Sequence, residues 1–120
     1  MHQLIDQETL ASLKDLQSED DPDFLKNYFT LFIDSIPELL NQIRVAVKNQ
    51  NFNQLEMSAH ALKSSSANSG VLKINTLSSE LEMLGRNQSV ELAAQKCDQL
   101  DALFKELQEE IQKLPEFIKK

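Results

Sequence analysis

Ser58-Ala59-His60-Ala61-Leu62-Lys63-Ser64-Ser65-Ser66-Ala67-Asn68-Ser69-Gly70 holds the only histidine of the chain beyond residue 2. Wound as a helix at ~100° per residue, this segment and the residues before it divide into two faces. Phe52, Leu55, Ala59, Leu62 and Ser66 share one arc. His60 lies roughly 140–160° from Leu55 and Leu62, on the other side. An amphipathic helix turns its apolar stripe inward, so His60 is expected to face solvent. Its neighbours there are Lys63, Ser64 and Ala67, at i+3, i+4 and i+7. An imidazole thus stands on a low patch of small side chains with one ammonium beside it.

The spacing predicts a helix over Phe52 to Asn68, stopped by Gly70, since glycine enters the left-handed conformation freely. Small residues in its buried arc, Ala59, Ser66 and Ser69, let a neighbouring helix come close. Ser65 and Ser66 can return a hydroxyl bond to a carbonyl one turn back. Upstream, Leu25, Phe29, Phe32, Ile36, Leu39, Ile43 and Val47 form one helical face. That helix is expected from Asp21 or Asp23 to Gln50, with Pro22 suited to its first position. Pro37 removes one amide donor within it, which predicts a bent helix rather than two separate ones.

Downstream, Ile74, Leu77, Leu81 and Leu84 predict a helix from Val71 or Lys73 to Gly85, with the glycine read as a helix end. Ser89 is read as the cap of a last helix to Leu114, with Ala93, Cys97, Leu100, Phe104, Leu107 and Ile111 on its apolar face and Pro115 ending it. Lys119-Lys120 reads as a frayed tail. A short first helix is expected from Asp6, its cap, to Leu16, with Leu10, Leu13 and Leu16 apolar and Ile5 stapling its start. Asn49-Gln50-Asn51 and Asn87-Gln88 read as turns, and Ser18 to Pro22 as an acidic loop. Short connections between amphipathic helices require sequence neighbours to pack side by side. The expected fold is all-α: an antiparallel up-and-down four-helix bundle with a short additional N-terminal helix capping one end.

Composition agrees. The chain has 120 residues, enough for one domain with one modest core. Gly 2 and Pro 3 are too few for many short strands. A net charge of −7 disfavours nucleic acid and anionic membrane surfaces. No apolar run approaches a membrane span, and residues 1–6 lack the pattern of a secretory signal. Cys97 alone forms no internal disulfide, and its place on an apolar face marks a buried thiol in a reduced, cytoplasmic compartment. Met1 and the capped first helix read as a free-standing protein, and a monomer is expected.

Without a second nearby histidine or a cysteine cluster, a metal site lacks ligands. No acid is clearly placed to complete a triad with His60 and Ser64. No Gly-rich loop offers a nucleotide a cradle. An exposed imidazole as nucleophile remains. A model imidazole titrates near ~6.5 and above that carries a free lone pair able to attack an activated phosphoryl group. Lys63 reads as a solvated lysine or a point cation near such a group. Glu82 and Arg86, at i and i+4, can pair on the surface, or Arg86 can favour its helix C-terminus. Glu56, one turn before His60, reads as solvated. Phe24, Tyr28, Phe29 and Phe32 read as core.

His60-Ala61-Leu62-Lys63-Ser64-Ser65-Ser66 with Gly70 resembles the signature of the histidine phosphotransfer (HPt) domain family, commonly His-x-Leu-Lys-Gly-Ser-Ser followed by a further Gly. Ser64 stands where the family most often has Gly. Leu81-Glu82 and Arg86 resemble the Leu-Glu (or Gln) and Arg positions beside the phosphorylated histidine. The resemblance spans Asp23 to Leu107 and makes residues 1–120 a single HPt domain. It implies His60 as phosphoacceptor, Lys63, Glu82 and Arg86 as its support, with Glu82 hydrogen-bonding the ring across the helix–helix groove, and Ser64 and Ala67 as a low docking surface. The implied partners are receiver domains of response regulators and hybrid histidine kinases. Those receivers supply Mg²⁺, and this chain needs no cofactor and has no autonomous kinase activity. The competing expectation is a helical adaptor that binds a signalling partner without chemistry.

Overall fold

Four long helices carry the structure, a computed structural model that describes residues 3–118. In chain order the helices are α1 (Gln7–Asp15), α2 (Phe24–Asn49), α3 (Phe52–Asn68), α4 (Leu72–Arg86), α5 (Ala93–Gln112) and the single turn α6 (Pro115–Ile118). Among the described residues only two isolated β-bridges occur, Ile5 with Val71 and Ser18 with Asp21. Helices α2 to α5 form the antiparallel bundle: α3 packs on α2 and α4, and α5 closes the ring against α2 and α4. One hydrophobic cluster runs through all four, with Leu25, Phe29, Ile43, Leu55, Leu62, Leu81 and Leu107 fully buried. Lys119-Lys120 lies outside the described residues.

Helix α2 runs unbroken across Pro37. Its buried face is wider than the spacing suggested. Leu40 and Ala46 are buried while Leu39 and Val47 are half-buried, because α2 packs against both α3 and α5 and needs two flanks of apolar contact. Asp23 rather than Asp21 is its N-cap, and Pro22 precedes the helix.

Helix α3 ends where the sequence placed its stop. Gly70 takes φ +76°, the Val71 amide donates to the Ser66 carbonyl at 2.8 Å and the Gly70 amide to that of Ala67 at 3.1 Å. These two bonds satisfy carbonyls the helix end would otherwise orphan. The N-terminal segment closes this end of the bundle. The Asp6 amide donates to the Gly70 carbonyl at 2.7 Å, and the Leu4 and Ile5 amides donate to the two carboxylate oxygens of Glu110 at 2.6 and 3.0 Å. Asp6 caps α1 by accepting from the Thr9 amide at 3.0 Å. Leu10 and Leu13 are buried, but Leu16 is 63% exposed: it is the C-cap, turned away from the stripe it was expected to complete.

Three further expectations are corrected. Gly85 is no helix end; it lies buried within α4, which continues to Arg86. A Cβ on Gly85 would stand 2.7 Å from the Glu56 nitrogen and 2.8 Å from the Phe52 carbonyl oxygen, so this glycine is the point where α3 and α4 touch backbone to backbone. Ser89 does not start α5. Its hydroxyl accepts from the Glu91 amide at 3.2 Å, but Leu92 in the left-handed conformation (φ 62°) delays the helix to Ala93. Pro115 opens α6 after α5 has ended at Gln112, using the tolerance for proline in a first turn. Cys97 is buried, as expected of its place on the apolar face.

Candidate phosphoacceptor site on the outer face of the α3–α4 pair

His60 sits mid-way along α3 with its side chain 60% exposed. Leu55, Ala59 and Leu62, on the inner arc of the same stretch, are fully buried and fix the rotation of the helix. The helix is further pinned by Ser66, whose return bond was expected, and by Asn75, Gln42 and Gln54, which the spacing did not mark. Asn75 on α4 donates to the Lys63 carbonyl at 2.9 Å, and the Ser66 hydroxyl donates to the same oxygen at 3.0 Å. Buried Ser58 donates to Gln42 on α2 at 2.9 Å and accepts from Gln54 at 2.6 Å. The backbone under the ring is therefore held from both neighbouring helices.

Glu82 is the centre of the site. Its carboxylate is only 7% exposed, yet it lies 2.8 Å from His60 Nδ1 through Oε2. Lys63 Nζ donates to Oε1 at 3.0 Å, and Arg86 Nη2 donates to Oε2 at 3.1 Å. Burial pushes this carboxyl up, but the bonds from Lys63 and His60 outweigh burial and hold it below the usual carboxylate range. An ionised carboxylate only accepts. In the neutral ring, Nδ1 must then carry the proton and Nε2 the lone pair, and Nε2 is the nitrogen left free of Glu82.

Arg86 has a second partner. Its Nε donates to Glu56 Oε2 at 3.1 Å, so Glu56 is paired across the helix–helix groove and not merely solvated, as was expected. Helix α4 does not present Glu82 and Arg86 as an isolated surface pair; Glu82 is buried and takes three donors, two of them from α3. Ser64 and Ala67 are both exposed on the His60 side of α3. Beyond them a shallow groove between α2 and α3 is lined by Tyr28, Leu31, Phe32, Ser35, Ser65 and Asn68. Leu31 is 72% exposed there. Tyr28 and Phe32 thus border this groove as well as the core.

All six residues singled out from the sequence are accounted for. His60, Lys63, Glu82 and Arg86 converge, and Ser64 and Ala67 flank them on the solvent side. Glu56, Asn75 and Gly85 complete the arrangement; Asn75 went unmarked, while Glu56 was read as solvated and Gly85 as a helix end. Among the described residues no group of three His, Cys, Asp or Glu side chains could hold a metal ion. None of the described helices is long and apolar enough to cross a membrane.

The fold and site together are a helical bundle that presents an exposed imidazole on a buried carboxylate. The family model described as "Hpt domain" matches residues 27–111, and the chain belongs to that family. Its relatives include Histidine-containing phosphotransfer protein 5 of Arabidopsis thaliana, 27% identical over 107 residues, which span 87% of this chain and 68% of that protein. Histidine-containing phosphotransfer protein 2 of the same plant is 28% identical over 105 residues, 85% of this chain and 67% of that protein. No solved structure matches the chain significantly.

Proposed function

We propose that this chain is a single HPt domain that shuttles a phosphoryl group between receiver-domain aspartates of a two-component phosphorelay through a phosphohistidine at His60. The observation that carries this reading is the 2.8 Å contact between Nδ1 and a buried carboxylate, which leaves Nε2 as the exposed nucleophile. The Nε2 lone pair attacks phosphorus, an Nε2–P bond forms, and the P–O bond to the receiver's aspartate breaks with its electrons returning to that carboxylate. No proton has to move. Nδ1 keeps its hydrogen, the ring takes up positive charge, and Glu82 offsets that charge from beneath. Reversal onto a second receiver empties the site.

Lys63 and His60 keep Glu82 ionised in the resting state, and Lys63 and Arg86 are the cations beside it that can offset phosphoryl charge. Ser64 and Ala67 leave room for a receiver to approach, and the α2–α3 groove extends that surface. Mg²⁺ and the acidic pocket belong to the receiver. A cytoplasmic location fits the free, buried Cys97 thiol. With no kinase activity of its own, the chain stays unlabelled by ATP alone.

The test is transfer from a phosphorylated receiver to wild-type protein and to His60→Gln. Acid-labile label on the wild type and none on the variant is the expected result. Label retained by His60→Gln excludes His60. A receiver that binds both forms equally and labels neither makes the protein an adaptor instead.

A further inference from the structure

Arg86 reaches Glu82 and Glu56 at once, with Nη2 on one carboxylate and Nε on the other, each at 3.1 Å. Glu56 stands one turn before His60 on α3. Helical side chains lean toward the N-terminus of their helix, so the ring of His60 leans over the turn that carries Glu56. The backbone contact at Gly85 holds α4 against this same turn, since a Cβ on Gly85 would meet both the nitrogen and the Cα of Glu56. Arg86 follows Gly85 directly. The start of its side chain is thereby fixed beside Glu56, and the guanidinium is clamped between two carboxylates before any phosphoryl group arrives.

A phosphoryl group on Nε2 brings about two negative charges to this spot. Among the described residues, Arg86 is the one cation of the site with an anchor besides Glu82, and Lys63 bonds Glu82 alone. We propose that Glu56 is a positioning residue which, by holding Arg86 Nε, keeps the guanidinium from closing on the phosphoryl group and so shortens the lifetime of the phosphohistidine. A short-lived phosphohistidine suits onward transfer, because a phosphoryl group stabilised in place is a poorer donor. The inference rests on His60 being the acceptor.

Phosphoramidate separates the two claims, because it needs no receiver. The Nε2–P bond forms as the P–N bond of the reagent breaks and ammonia leaves. Labelling of the wild type and none of His60→Gln establishes the acceptor; failure of that control overturns the acceptor assignment and the inference with it. Given the control, excess reagent is removed and decay of the phosphohistidine is followed at constant pH. Glu56→Gln should lengthen the half-life by roughly two- to five-fold, the scale of one partly exposed charge pair, and Glu56→Asp should return it toward the wild-type value. In an Arg86→Ala background Glu56→Gln should change nothing, because its effect runs through the guanidinium. A Glu56→Gln half-life equal to or shorter than that of the wild type overturns the proposal. So does a lengthening that persists without Arg86.

Discussion

Replacing Gly85 with alanine adds one methyl group where α3 and α4 meet backbone to backbone. Gly85 has no positive φ, so alanine can adopt its backbone conformation, and in a helix alanine is favoured over glycine by about 1 kcal/mol. A glycine that merely marked the end of α4 would therefore yield a variant of equal or greater stability. The structure reverses the sign. The new Cβ would lie 2.7 Å from the Glu56 nitrogen, 2.8 Å from the Phe52 oxygen and 3.0 Å from the Glu56 Cα. All three are backbone atoms of α3, which no rotamer change can move aside. Relief requires α3 and α4 to separate by several tenths of an ångström along a face that is otherwise close-packed, a strain of about 2–3 kcal/mol, the upper part of the overpacking range because three backbone atoms are met at once. After the helix-propensity gain, the net loss is about 1–2 kcal/mol, or roughly 4–10 °C in Tm for a domain of this size. Thermal and urea unfolding followed by circular dichroism measure it. A Gly85→Ala protein as stable as the wild type, or more stable, would show that the two backbones do not meet at this residue.

Glu82 carries a pH signature with a defined sign. Its folded carboxyl is held below the usual carboxylate range, so it gives up its proton more readily folded than unfolded. The stability it contributes is fully present above the ordinary glutamate value of ~4.3 and is lost as pH falls through the lower folded value. The stability difference between wild type and Glu82→Gln should thus shrink steadily from about pH 5.5 toward pH 3 in urea titrations; a constant difference over that range contradicts the assignment. Ala67→Trp places a large ring on the exposed face two turns beyond His60. It should leave stability within about 0.5 kcal/mol and phosphoramidate labelling unchanged, while transfer from a phosphorylated receiver falls by at least the ~10-fold that ~1.4 kcal/mol represents. Transfer at the wild-type rate would remove Ala67 from the docking surface.

Much of this arrangement was legible in the sequence where periodicity and helix-stop chemistry speak clearly. Leu55, Ala59, Leu62 and Ser66 put His60 outward, and Gly70 ended α3, because both inferences use only the pitch of a helix and the one residue that tolerates a positive φ. Residues whose role depends on a second helix were harder. Glu82 lies beside Leu81 and belongs by type to the surface; the donors His60 and Lys63 on α3, with Arg86 on its own helix, make its burial tolerable. Gly85 carries the usual mark of a helix end, and nothing local separates that from a close approach to a neighbour. Leu92 in a left-handed conformation and Pro115 at the head of α6 are local departures that spacing cannot express. Leu16 kept the right period for a buried position but fell at a helix terminus, where the chain had already turned away.

Phosphoryl transfer at this site depends on which ring nitrogen of His60 is free to react. Nuclear magnetic resonance of the phosphorylated protein, with ¹⁵N in the imidazole and ³¹P in the phosphoryl group, locates the new bond directly. The geometry predicts phosphorus on Nε2 of His60 with the proton still on Nδ1, hydrogen-bonded to Glu82. Phosphorus on Nδ1, or on any residue other than His60, contradicts it.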